Sequence, residues 1–76
     1  DQYKEKLACA IEEIEPSWQF HDFRIVSGPT HVNLVFDLVI PYEEKRNEDQ
    51  IKEEILNHLS SDRKVYLVMT LDHPFA

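Results

Sequence analysis

Apolar and polar positions along this chain follow a helical period at two places. Over residues 3–15 the apolar residues recur at helical spacing, and Pro16 ends this segment because the residue before a proline avoids the α region. A second helical stripe runs from about residue 48 to Leu59, behind an N-cap at Asn47 that Gln50 could complete as a capping box. The predicted core positions of the two helices are Tyr3, Leu7, Ala10, Ile11 and Ile14, then Ile51, Ile55, Leu56 and Leu59.

Three other segments have the composition and alternation of β-strands. Residues 18–26, 31–40 and 64–72 are rich in β-branched and aromatic side chains. Gly28 and Pro29 predict a turn that joins the first two strands into a hairpin. The predicted core positions of the second and third strands are Val32, Leu34, Phe36, Leu38 and Ile40, then Val65, Leu67, Met69 and Leu71. The order αββαβ predicts a two-layer α+β domain in which both helices cover one face of a three-stranded sheet.

The other face of this predicted sheet is more apolar than a solvated face requires. Its apolar positions are Val35, Val39, Tyr66 and Val68, which alternate with polar side chains. An exposed apolar patch of this kind is typical of a contact surface. We therefore expect the domain to self-associate.

Length, charge and composition exclude several classes of function. A chain of 76 residues is one domain, residues 1–76, and 8 basic against 15 acidic residues give a net charge of −7. That balance argues against a nucleic-acid partner, because phosphate binding needs clustered cations. A single glycine excludes a glycine-rich phosphate loop, and no nucleophile has an evident base beside it, so we predict that the domain is not an enzyme. The absence of an initiator methionine suggests either a piece of a longer protein or a processed chain.

The histidines are the most informative polar residues, and topology decides which of them can meet. If the hairpin closes with Val26 opposite His31, then Phe36 lies opposite His21. His21 and His31 are then about 17 Å apart along the strands, which is too far to share a metal ion.

The same topology groups other side chains at one end of the sheet, where strands begin or stop. His21 lies early in the first strand, and Asp72 and His73 lie at the end of the third, so all three are expected at this end. Imidazole and carboxylate ligands suit zinc and its first-row neighbours. The alternative is that Asp72 and His73 only terminate a strand.

Two segments carry a resemblance to a known family. HDFR…SGPTHVNLVFDLVIP, followed by VMTLDHP, resembles the cytoplasmic C-terminal domain of cation diffusion facilitator transporters. The resemblance covers nearly the whole chain, including the order of its elements. His21 and Asp72 correspond to metal-binding positions of the family. Phe36 and Thr70 stand where family members can carry histidine, and His73 is additional.

The resemblance implies a fold, a partner and a role. The implied fold is ferredoxin-like or metallochaperone-like, and the implied partners are a second copy, divalent cations and an N-terminal transmembrane domain of the same parent chain. The domain would lie on the cytoplasmic side of the membrane, and a weak regulatory site for a divalent ion, zinc in the first place, would control transport. The alternative function is a freestanding small-ligand-binding or protein-interaction module of the same shape. Hydrophobic spans upstream in the full-length gene product would discriminate between the two.

Overall fold

The structure, a computed structural model, describes residues 2–74 as two helices and a three-stranded mixed sheet. The elements in chain order are α1 (Gln2–Ile14), β1 (Gln19–Ser27), β2 (His31–Val39), α2 (Glu48–Asn57) and β3 (Lys64–Asp72). The strand order is β1-β2-β3, with β1 antiparallel and β3 parallel to β2. The predicted α+β class, the order αββαβ and the small ferredoxin-like type of fold are confirmed.

One face of β2 forms the centre of the hydrophobic core. Its alternating pattern puts four apolar side chains in sequence on the face that the helices cover, and Phe36 among them is 1% exposed. The buried residues are Leu7, Ala10, Ile11, Trp18, Val32, Leu34, Phe36, Leu38, Ile40, Ile51, Ile55, Leu67 and Met69. The core positions predicted for β2 are all buried, so the period of two was a reliable guide to this strand.

Helix α2 departs from its predicted core stripe at one position. Ile51 and Ile55 are buried and Leu59 packs against the core, but Leu56 is 39% exposed. The prediction of Leu56 as a core residue is therefore wrong. Each residue advances the helix by about 100°, so the residue after Ile55 turns away from the sheet. The predicted capping box is present, with Asn47 accepting from the Gln50 backbone at 2.9 Å.

A bulge in β1 sets the register of the hairpin. The Gly28 N–H donates to the carbonyl of His31 at 2.8 Å, which closes the turn so that Val26 lies opposite Asn33. The register then shifts between His21 and Arg24, and His21 lies opposite Asp37. The predicted pairs Val26–His31 and His21–Phe36 are both wrong.

The bulge has a specific backbone origin. Asp22 has a φ of 56°, a left-handed conformation that aspartate tolerates better than most residues. The extra residue lets Phe20, Phe23 and Ile25 all pack on the core side of the sheet. Phe20 meets the rings of both Phe23 and Phe36 edge-to-face at 6.1 Å.

Removing the Phe36 ring should destabilise the fold more than removing any histidine. The Phe36→Ala variant leaves a cavity in the most buried layer of the sheet, and such truncations reduce the free energy of unfolding by about 3–5 kcal/mol. Urea unfolding followed by circular dichroism measures this loss.

The matched control for Phe36 is Val68→Ala on the same sheet. Val68 is 52% exposed on the opposite face, so its truncation should reduce the free energy of unfolding by no more than about 1 kcal/mol. Equal losses in the two variants would contradict the assignment of faces.

Candidate functional site

Histidine and aspartate side chains concentrate where β1 begins and β3 ends, on the sheet face opposite the helices. The cross-strand register joins His21 on β1 to Asp37 on β2, and Asp37 to Thr70 on β3. The next row of the same face ends in Asp72, which lies opposite Val39. This end of the sheet therefore presents imidazole and carboxylate groups from all three strands.

A shallow concavity brings the three predicted metal ligands together. His21, Asp72 and His73 all line it, together with Gln19, Val39 and Pro74. His31 lies at the other end of β2, opposite Lys64 at the start of β3. The structure therefore groups the predicted residues and separates His31 from them, as the topology required.

The His73 ring has a defined orientation. Its Nδ1 lies 3.1 Å from the carbonyl oxygen of Ile40, and it stacks on Tyr42 with ring centroids 4.4 Å apart. A carbonyl only accepts hydrogen bonds, so Nδ1 carries the hydrogen. In the neutral ring Nε2 is then the nitrogen left to accept a proton or a metal ion.

The side-chain positions do not yet form a coordination group. Within residues 2–74, no three His, Cys, Asp or Glu side chains are placed so that they could hold one metal ion. The donor types at His21, Asp72 and His73 suit a divalent ion, but their shared concavity is open. An ion would therefore require rotation of these side chains, and the metal site stays a prediction.

Asp37 is a member of this group that the sequence did not single out. Partial burial raises the pKa of Asp37, and a side-chain hydrogen bond with Asp22 raises it further. The negative charges of Asp22 and Asp72 act in the same direction, while Arg24 opposes them. The folded protein therefore holds the Asp37 proton to a higher pH than an ordinary aspartate would.

A break in the alternation of β1 was the signal that could have found Asp37. Phe20, Phe23 and Ile25 are spaced by three and then two residues, whereas a regular strand repeats every two. Such a break is typical of a bulge. With the turn closed between Gly28 and His31, the bulge moves His21 from a position opposite Leu38 to one opposite Asp37. The polar pair at positions 21 and 22 stands at this break.

Comparisons with protein-family models, with curated proteins and with solved structures found no match to this chain. The helices between residues 2 and 74 include none that is both long enough and apolar enough to span a bilayer.

Replacing Asp37 by asparagine should stabilise the metal-free domain near neutral pH. Because the folded state raises the pKa of Asp37 above its ordinary value of 3.8, the folded protein binds more protons than the unfolded chain in the range just above that value. The associated stability is complete below pH 3.8 and is lost as pH rises through the raised pKa. Asp37→Asn removes this loss, so its urea midpoint at pH 7 should exceed that of the wild type.

Two further variants test the cause of this effect. Asp22→Asn removes the neighbouring charge while keeping a residue that tolerates the left-handed backbone, so it should also flatten the pH dependence. Asp62→Asn, an exposed carboxylate in the loop between α2 and β3, is the control and should leave the difference between low and neutral pH unchanged. The wild type and Asp37→Asn are compared by the change in their free energy of unfolding between pH 4 and pH 7. An equal gain in both proteins would contradict a raised pKa of Asp37 in the folded state.

Proposed function

We propose that this chain is the cytosolic dimerisation and metal-sensing domain of a divalent-cation efflux transporter of the cation diffusion facilitator family. In this role it follows an N-terminal transmembrane domain of the same parent chain on the cytoplasmic side of the membrane. The observation that carries the proposal is that His21, Asp72 and His73 line one concavity. Two of these residues, His21 and Asp72, are also the ones that correspond to metal-binding positions of the family.

The open face of the sheet supports dimerisation. Val68 and Tyr66 are 52% and 46% exposed, and Val35 lies beside Val68 in the same row. Because large exposed apolar side chains in a row are unfavourable in water, a second copy that shielded part of this row would gain stability.

The fold supports a sensor rather than a structural metal site. Within residues 2–74, thirteen buried apolar side chains form the core, so the domain can fold without an ion as a cross-link. A sensor needs an ion that binds one arrangement more tightly than another. Ligands that line an open concavity and must rotate to converge meet that requirement, because binding changes their positions.

Zinc titration should depend on His21 and not on His31. His21→Ala removes a ligand from the concavity, so it should weaken zinc binding at least about tenfold at pH 7. His31→Ala is the matched control, because it removes an imidazole from the opposite end of the same sheet. Isothermal titration calorimetry of the wild type and the two variants measures the difference.

The pH and the assembly state give two further readouts. An imidazole ligand must be neutral, and its ordinary pKa is about 6.5, so zinc affinity should fall as pH drops toward 5. Added zinc should also shift the monomer–dimer equilibrium in sedimentation. No binding heat at millimolar zinc, or equal losses in His21→Ala and His31→Ala, would contradict the metal-sensing role.

A further inference from the structure

The outer edge of β3 is a regular row of backbone groups. β3 pairs with β2 in an unbroken register over all 9 of its residues, and no other strand within residues 2–74 pairs with it. The opposite edge of the sheet differs, because the bulge between His21 and Arg24 interrupts β1. A regular, unprotected edge is a template on which another strand can pair.

The hydrogen bonds to β2 define which backbone groups point to this edge. The Ile40 N–H donates to the carbonyl of Asp72 at 2.9 Å, so Asp72 directs its backbone toward β2. Along a strand these groups alternate in direction. The residues that direct their N–H and C=O groups to the open edge are therefore Val65, Leu67, Met69 and Leu71.

The side chains of β3 are complementary to themselves in an antiparallel arrangement. Residues 65–71 carry neither a charge nor a proline, while the strand begins with Lys64 and ends with Asp72. When a second β3 lies antiparallel and centred on Val68, each Lys64 lies opposite the Asp72 of the other copy. Both ends of the pair then join opposite charges, which favours this register over its neighbours.

We propose that β3 pairs antiparallel with the β3 of a second copy, centred on Val68, so that the two sheets become one. In this arrangement the backbone N–H groups of Val65, Leu67, Met69 and Leu71 donate hydrogen bonds to the other copy, and their carbonyl oxygens accept hydrogen bonds from it. The interface is isologous, because the same edge contributes from both copies. The contact needs no metal ion.

The open face of the sheet is consistent with this centre. Val68 is the most exposed apolar residue of β3, at 52%, and it would lie directly opposite the Val68 of the other copy. Tyr66, 46% exposed, would lie opposite Thr70. Because Val35 is next to Val68 within each copy, an apolar row would run across the junction from one Val35 to the other.

This inference rests on the proposed function only for the expectation of a dimer, and it assigns that dimer to one edge. Because the edge contact needs no metal, failure of zinc binding leaves it intact. The experiments below are therefore performed in the presence of a chelator.

Charge exchange at the two ends of β3 tests the register. Lys64→Asp places two carboxylates opposite each other at both ends of the pair, and Asp72→Lys places two ammonium groups there. Each single variant should raise the dissociation constant of the dimer at least about tenfold in sedimentation equilibrium. The double variant restores opposite charges and should return to within about threefold of the wild type. Lys45→Asp, which makes the same charge change in the exposed connector before α2, is the control.

Amide hydrogen exchange at low and high protein concentration tests the contact itself. The amides of Val65, Leu67, Met69 and Leu71 should become protected as the dimer forms, because they face the open edge. The intervening amides of β3 face β2 and should be protected at both concentrations. This alternating pattern distinguishes edge pairing from a face-to-face contact.

Three outcomes would overturn the inference. A chain that remains monomeric at about 500 micromolar would show that its own copy is not the partner of this edge. A dimer that both single charge variants leave unchanged, but that Val35→Lys abolishes, would show that the sheet face is the contact, and the dimer of the proposed function would stand. Failure of the double variant to recover would contradict the register.

Discussion

The packing of both helices against a single face of β2 is the constraint on which the rest of the structure depends. β2 is paired on both sides, and the buried side chains on its inner face alternate with half-buried ones on its outer face. Burial of the inner row is the dominant favourable term for a domain of this size. It leaves the outer face to the polar side chains of the strands, among them His21, Asp37 and Asp72.

That constraint explains why much of the fold was predictable. A strict period of two in β2 and in β3 assigns each residue to a face without knowledge of the partner strands. The order of helices and strands then leaves few architectures. The ends of the helices were also readable, since Pro16 and the capping box at Asn47 act through local geometry.

The parts that could not be predicted depend on geometry between elements. The hairpin register follows from the hydrogen bond between Gly28 and His31 and from the left-handed backbone of Asp22, and neither is visible as a periodic pattern. The predicted register placed Phe36 rather than Asp37 opposite His21, so Asp37 was absent from the predicted site. The structure places His21, Asp72 and His73 around one concavity. Whether these three converge on an ion depends on side-chain rotation, which topology does not determine. The prediction of Leu56 as a core residue was wrong for a simpler reason. Leu56 directly follows the buried Ile55 on a helix whose apolar stripe is narrow, so its side chain points toward solvent.

The bulge at Asp22 also determines which changes of length this part of the chain can accept. Without Asp22 the segment would run Phe20, His21, Phe23, Arg24, Ile25, a plain alternation in which the aromatic residues stay on the core side and His21 stays opposite Asp37. An added residue at the same point would instead need a wider bulge, or it would turn Phe20 and His21 to the wrong faces of the sheet. Related chains are therefore expected to accept the loss of one residue here more readily than the gain of one.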